Sequence, residues 1–204
     1  MNNGQFPGFD AQRKMAPPTR NAILSEIIEK FSKTAKKAAV LCLLYPKNNQ
    51  LYFALIKRVS YEGVHSNQIG FPGGKLEAGE NSLQAAIRET EEEIGVKISE
   101  SSILGPITEL YIPPSNFMVY PYIAYINFLP SFILDKKEVA YLVEVSLADL
   151  LNADNIKTKE MKLSYGTFNN PYFSLQNEVV WGATAMILNE FRDILMKQNQ
   201  SKWI

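Results

Sequence analysis

The sequence predicts one compact domain of mixed α and β structure. Short apolar runs bounded by turn residues recur at 37–45, 51–58, 103–111, 118–129 and 138–145, which reads as strands. Two segments, about 82–94 and 183–197, carry apolar residues at helical spacing, and no internal repeat or low-complexity linker divides the chain.

Residues 1 to about 18 are polar and rich in Gly and Pro, an arm expected to order only by packing on something else. Thr19 or Asn21 can cap a helix with Ile23, Ile27, Ile28 and Phe31 on one face. KAAVLCLLY (37–45) and LYFALIKR (51–58) flank the turn PKNNQ and predict a β-hairpin, with a loop longer than the tightest type. NQIGF (67–71) reads as a strand entering the turn PGG. A helix follows from Ser82 to Ile94, with Gly95 placed for a left-handed C-cap. The run at 138–145 feeds a short helix around SLADLL (146–151); residues 152–180 show no clear pattern, and a helix over about 183–197 ends the domain.

The 204 residues include 21 basic and 21 acidic side chains, so a net charge of zero gives no global pull toward nucleic acid or an anionic membrane. The N-terminal segment has no apolar core of signal-peptide length and no run of eighteen apolar residues occurs, which predicts a cytoplasmic protein with neither nucleic-acid nor membrane partners. The single cysteine, Cys42, lies in an apolar run and reads as a small buried residue, consistent with a reducing compartment. Oligomeric state is not set by these features, and a homodimer is left open.

The stretch RETEEEIGV (88–96) concentrates negative charge on one helical turn. Like charges three and four apart repel by roughly 0.2 to 0.5 kcal/mol per pair. On a wheel of about 100° per residue, Glu89, Glu92 and Glu93 span about 100° of one face, while Leu83, Ala86, Ile87, Thr90 and Ile94 form a separate apolar stripe. Glu89 and Glu93 stand one turn apart, close enough to share a cation, and hard carboxylate oxygens suit Mg²⁺ or Mn²⁺. Gly73 and Gly74 in the preceding turn let the backbone approach a ligand or metal.

Gly74, five residues, Glu80, seven residues, then Arg88 through Val96 match the spacing GX5EX7REUXEEXGU, where U is aliphatic. This resembles the box of the Nudix hydrolases. Thr90 is the one departure, standing where an aliphatic residue is usual; its hydroxyl is expected to bond the carbonyl one turn back. The resemblance implies an α/β (α+β) fold, the Nudix α/β/α sandwich with a mixed β-sheet flanked by helices. It also implies Mg²⁺- or Mn²⁺-dependent hydrolysis of a nucleoside diphosphate derivative, with a small-molecule nucleotide as the partner. Glu89, Glu92 and Glu93, with the carbonyl of Gly74, would hold the metal, and Arg88 would pair with Glu80 to brace loop against helix. The general base is open between box glutamates such as Glu92 and Glu93 and an acid outside the box, for which Glu138 is the candidate; an exposed strand-entry charge is the plainer reading of Glu138.

LIKRVSYEGVHSNQIGFPGG (55–74) is similar to the signature of the coenzyme A diphosphatase branch, with Arg58, His65, Gln68 and Phe71-Pro72-Gly73-Gly74 at matching distances. Val59, Gly63 and Asn67 differ in identity. Val180-Trp181-Gly182-Ala183-Thr184-Ala185 resembles that branch's WG(X)TA helix entry, and the likeness extends over about 37–195. It implies cleavage of coenzyme A or its thioesters into 3′,5′-ADP and an (acyl) 4′-phosphopantetheine, with Arg58, His65 and Gly73 toward substrate; His65 serves equally well as a loop brace. The rival activities are hydrolysis of ADP-ribose, dinucleoside polyphosphates or oxidised nucleotides, and, from another class, nucleotide sensing without turnover. The expected organisation is an N-terminal arm and helix over 1–36 and a hydrolase domain over 37–204. Asn67, in place of the branch's glycine, is expected to adopt a left-handed conformation that turns His65 toward the cleft and leads Gln68 into the next strand.

Overall fold

The computed structural model describes residues 6–18, 34–60, 67–163 and 166–200. The helix expected after Thr19 and the loop containing His65 lie outside the described residues.

Strand β1 (Lys36–Lys47) and strand β2 (Gln50–Arg58) form the predicted hairpin. Its loop is shorter than expected: Lys47 pairs with Gln50, leaving Asn48 and Asn49 at φ 51° and 58°. Two consecutive positive φ angles define the tight turn whose twist matches the strands, and Asn tolerates them best among residues with a side chain. Past Leu44 and Phe53 the two strands part. The chain 68–75 fills the wedge: β3 (Ile69–Gly70) pairs with β2 through Ile56 and Lys57, and β4 (Gly73–Lys75) pairs with β1 through Ala38 to Val40. NQIGF is thus two paired residues and a lead-in rather than a full strand.

The box helix, α2 (Ser82–Ile94), has the predicted bounds. The run at 103–111 splits into β5 (Ile103–Pro106) and β6 (Leu110–Ile112) with residues 107–109 between them, and Gly105, at φ 146°, lies at a register shift within β5. Both pair with β7 (Phe117–Tyr125), which runs parallel to β1 from Lys36↔Phe117 to Leu44↔Tyr125. β7 stops four residues before the apolar run does, and Phe128 and Leu129 lie exposed beyond it. β8 (Val139–Ser146) pairs antiparallel with β2 and completes an eight-stranded mixed sheet. Ser146 caps the short helix α3 (Leu147–Leu151), its hydroxyl accepting from the Asp149 amide.

The segment without a clear sequence pattern forms a second sheet of β9 (Ile156–Leu163), β10 (Gly166–Leu175) and β11 (Glu178–Trp181), antiparallel throughout. The last helix, α4 (Gly182–Gln200), follows directly.

Side chains of β1 alternate between two cores, which explains why the strand reads as continuously apolar. Ala39, Leu41, Leu43 and Tyr45 pack with Ala85, Ala86 and Ile94 of α2. Cys42 and Leu44 pack on the other face with Ala185, Leu188 and Phe191 of α4. Burial pushes the Cys42 thiol well above its ordinary value, so it is an inert core residue. The layers are therefore α/β/α. The described part of the N-terminal arm, residues 6–18, packs on the domain as expected: a short helix, α1 (Gly8–Gln12), lies on α4, where the buried Gln12 donates to Glu190 at 2.8 Å and Asn189 donates to the Ala11 carbonyl at 2.8 Å.

Candidate active site

Helix α2 is fixed at both ends. Asn81 accepts from the Gln84 amide at 3.0 Å while Gln84 Oε1 accepts from the Asn81 amide at 2.9 Å, a reciprocal cap the N-x-x-Q spacing encodes. At the other end Gly95 takes φ 73° and its amide reaches the Glu91 carbonyl, as expected of a left-handed cap. Thr90 is fully buried and its hydroxyl donates to the Ala86 carbonyl at 2.7 Å, so the one departure in the box is satisfied one turn back.

The wedge between β1 and β2 sets the turn beneath this helix. Gly73 sits at φ 146°, and a Cβ there would lie 2.3 Å from the Ala39 carbonyl oxygen. At Gly74 a Cβ would lie 2.3 Å from the Glu89 Cδ, so the missing side chain is the cradle in which the Glu89 carboxylate rests.

Two arginines divide the acids. Arg88 forks across the loop and the helix: Nε and Nη2 donate to Glu80 at 3.1 and 2.8 Å, Nη2 also reaches the Lys75 carbonyl, and Nη1 donates to Glu89 at 3.1 Å and Glu92 at 2.9 Å. The expected Arg88–Glu80 pairing is present. Arg58 serves the buried side. A register shift between Lys57 and Arg58 in the β2–β8 ladder marks a bulge there. Nη2 of Arg58 donates to the Gly73 carbonyl at 2.8 Å, and Nη1 stands 3.2 Å from Glu93 Oε1. Glu93 Oε2 accepts from the Gly73 amide at 2.7 Å. Its Oε1 is buried and makes no hydrogen bond, with Arg58 Nη1 at ion-pair distance.

These surroundings set the charges. Burial pushes Glu93 up to about 7, outweighing Arg58 and the Gly73 amide that pull it down, with Glu89 and Glu138 adding to the rise. Burial also raises Glu89, against the pull of Arg88. The Arg88 hydrogen bonds lower Glu80. Among the described residues no three acids converge on one point, since each of the three box carboxylates is held by an arginine. The donor set nevertheless fits a hard divalent ion: carboxylate oxygens on one helical face, a glycine cradle, and a buried Glu93 oxygen without a hydrogen bond.

The site residues read from the sequence therefore fall around one turn. Gly73, Gly74, Glu80, Arg88, Glu89 and Glu93 are in direct contact, and Arg58 joins them through Glu93 rather than standing apart for substrate. Glu92 is more exposed, at 57%, and linked through Arg88. Glu138 is exposed at the entry to β8, its carbonyl accepting from the Val59 amide, and its charge is felt at Glu89 and Glu93. Asn67 has φ 58°, the left-handed conformation expected, and the next residue's carbonyl accepts from the Arg58 amide. His65 lies outside the described residues. Sequence reading missed two supports. Thr184, at the α4 entry, donates through its hydroxyl to the Ile69 carbonyl at 3.1 Å and stands against Gly70, tying the WGATA segment to the strand that leads into the glycine turn. Glu178 accepts from Lys57 at 3.3 Å and from the Tyr141 hydroxyl, joining β11 to the ends of β2 and β8.

The NUDIX domain model matches residues 35–162, the span that holds the mixed sheet, the glycine turn and the acid-bearing helix. The chain belongs to the NUDIX domain family, and is a hydrolase of pyrophosphate bonds in nucleoside diphosphate derivatives. It is 30% identical over 160 residues to the uncharacterized Nudix hydrolase NudL of Yersinia pestis (strain Pestoides F), covering 78% of this chain and 79% of that protein; NudL of Yersinia pseudotuberculosis serotype O:1b (strain IP 31758) matches equally. Among solved structures, a MutT/nudix family protein from Enterococcus faecalis superposes with TM-score 0.57 at 17% identity over 92% of this chain and 74% of that one. The NUDIX domain of Shewanella oneidensis NrtR, complexed with ADP ribose, gives 0.56 at 14% identity over 79% and 88%. These two show the fold.

Proposed function

We propose that the protein cleaves the diphosphate of coenzyme A or its thioesters, releasing 3′,5′-ADP and an (acyl) 4′-phosphopantetheine, with Mg²⁺ or Mn²⁺ as cofactor and residues 37–204 as the hydrolase domain. The observation that carries this reading is the meeting of two segments far apart in the chain. The coenzyme A branch-like stretch 55–74 and the WGATA stretch pack on each other at Ile69 and Gly70, immediately before the glycine turn.

In this reading Glu89, Glu92, Glu93 and the Gly74 carbonyl hold the ion. Bound there, it would screen the charge building on the diphosphate and make a coordinated water acidic enough to attack. Arg88 and Glu80 keep the loop at a fixed distance from the helix, so the ligands need little reorganisation. Water activation falls to Glu92, Glu93 or Glu138; Gly73 and Arg58 support the site through Glu93, and the substrate role expected of His65 is kept as part of this proposal. Cytoplasmic residence suits the buried, unpaired Cys42.

Gly63, where the branch carries arginine, favours a second reading in which another nucleotide such as ADP-ribose is the substrate, because a 3′-phosphate would lack one cation facing it. ADP ribose is also the ligand in the complex of the Shewanella oneidensis NrtR NUDIX domain. A substrate panel decides between them: coenzyme A, acetyl-coenzyme A, ADP-ribose, NADH, a diadenosine polyphosphate and an oxidised nucleotide, each with Mg²⁺, followed by phosphate release from the products with an added phosphatase. Turnover of coenzyme A compounds well above the rest is expected, and a preference for ADP-ribose would replace the first reading with the second.

A further inference from the structure

Arg58 is tied to an acid that the metal also needs. Glu93 has two oxygens: Oε2 is taken by the Gly73 amide at 2.7 Å, and Oε1 faces the Arg58 guanidinium at 3.2 Å without a hydrogen bond. The side chain is 2% exposed, so without Arg58 the carboxylate would keep the Gly73 amide but have no cation and almost no solvent to offset its charge. Arg58 has a separate anchor, since Nη2 donates to the Gly73 carbonyl at 2.8 Å, and that bond does not depend on Glu93. One arm of the guanidinium is therefore fixed to the turn while the other rests on the carboxylate oxygen left for an ion.

We propose that Arg58 is a positioning residue that acts as the internal counter-cation of Glu93, holding its carboxylate in the metal-free protein and surrendering Oε1 when the divalent ion enters. This rests on the metal reading of the site given above. A guanidinium and a divalent ion compete for the same oxygen, so their occupancies exclude each other at that atom. Removing the guanidinium charge must then tighten metal binding, whereas a residue that only shapes the loop would weaken it or leave it unchanged. Arg88 differs in kind: its fork is shared among Glu80, Glu89, Glu92 and the Lys75 carbonyl, so its removal would loosen the turn itself.

The test is direct Mn²⁺ binding, read by the electron paramagnetic resonance signal of free Mn²⁺ at an alkaline pH where the carboxylates are ionised. Wild type, Arg58→Gln and Arg58→Lys are compared, with thermal midpoints recorded with and without Mn²⁺. Arg58→Gln should bind Mn²⁺ about fivefold tighter, the order expected from loss of one competing ion pair, and should lower the metal-free midpoint while leaving the Mn²⁺-loaded midpoint near wild type. Arg58→Lys, which keeps the charge, should remain close to wild type in both. Equal or weaker Mn²⁺ binding by a folded Arg58→Gln, or the same fall in both midpoints, overturns the placeholder role and leaves the metal site standing. Failure of wild type to bind Mn²⁺ overturns the metal reading, and this inference with it.

Discussion

The two arginine corners of the site perform the same chemistry in different media. At the outer corner Arg88 meets Glu80, Glu89 and Glu92 where the guanidinium is 25% exposed and Glu92 57% exposed. At the inner corner Arg58 meets a Glu93 that is 2% exposed. At the outer corner the partner wins at Glu80, which Arg88 lowers, although burial raises Glu89 against the same guanidinium. Inside, desolvation wins: Glu93 rises to about 7 despite an arginine at 3.2 Å and an amide at 2.7 Å. An ion pair near water adjusts a charge that would exist anyway, whereas a buried one only partly repays the cost of removing the charge from water. The inner corner is therefore short of solvation, while at the outer one water screens the excess of three carboxylates over one guanidinium.

The largest consequence is a pH-dependent stability in the absence of metal. Between the ordinary value of 4.5 and about 7 the folded chain keeps a proton on Glu93 that the unfolded chain has released. Stability from this group is thus fully present below that window and falls as pH rises through it, by about 3 kcal/mol in all. Urea unfolding of metal-free protein across this range should show the decline, and Glu93→Gln should flatten it. Saturating Mg²⁺ should restore stability at the upper end, because the ion binds the deprotonated folded form. A flat profile in metal-free wild type would place the inner corner on the same footing as the outer.

Next in size are the ligand charges. Glu93→Gln and Glu89→Gln should each lower kcat by at least about 10²-fold at saturating Mg²⁺ with the fold kept, since each removes a ligand charge without changing shape. Normal turnover in both, by single-turnover assay, would remove the metal role from the helix.

Legibility in the sequence follows the same contrast of environments. The box helix was readable to the residue because its signals are local: an acid face, an apolar stripe, and Gly95 at the end. The second sheet was not readable because β9, IKTKEMKL, exposes five charged or polar side chains on both faces, and β10 carries Asn169, Asn170 and Pro171 mid-strand, so neither sequence alternates in the way a half-buried strand does. The box acids were legible as residues, but the arginine contacts of Glu89, Glu92 and Glu93 were not. Glu93's pairing with Arg58 depends on the wedge that brings 68–75 between β1 and β2, a long-range arrangement with no local signal. The arm's dependence on packing was legible in its composition, whereas Gln12 and Glu190, 178 residues apart, meet only in the fold.

Asn67 tests how far the inner corner depends on that wedge. It turns the chain at φ 58° just before Gln68, whose carbonyl accepts from the Arg58 amide. Asn67→Gly should be neutral or mildly stabilising with activity kept. Asn67→Val should cost at least about 1 kcal/mol, because a β-branched residue resists the left-handed region, and should raise KM as Arg58 and the glycine turn shift. Denaturation midpoints and Michaelis profiles for the two variants give both readings.

The smallest effect belongs to the outer corner and has the opposite sign in pH. Arg88 holds Glu80 below the ordinary carboxylate value, so the stability this group contributes is present above that value and fades as pH falls through the lowered one. Glu80→Gln should cost no more than about 1 kcal/mol near neutrality, the usual ceiling for a solvent-screened pair, and should leave the fall between pH 4.5 and about 7 assigned to Glu93 untouched. What it should change is the acid limb: wild type loses stability on further acidification and Glu80→Gln loses less. Activity should drop modestly, because Arg88 still reaches the Lys75 carbonyl, Glu89 and Glu92 and so keeps part of its hold on the loop. Urea melts of both proteins with metal removed, taken below and above the ordinary Glu range, measure the two slopes separately. If Glu80→Gln altered the upper window as well, the corners would be coupled through Glu89, which lies between them, and the division of the site into an exposed and a buried half would fail.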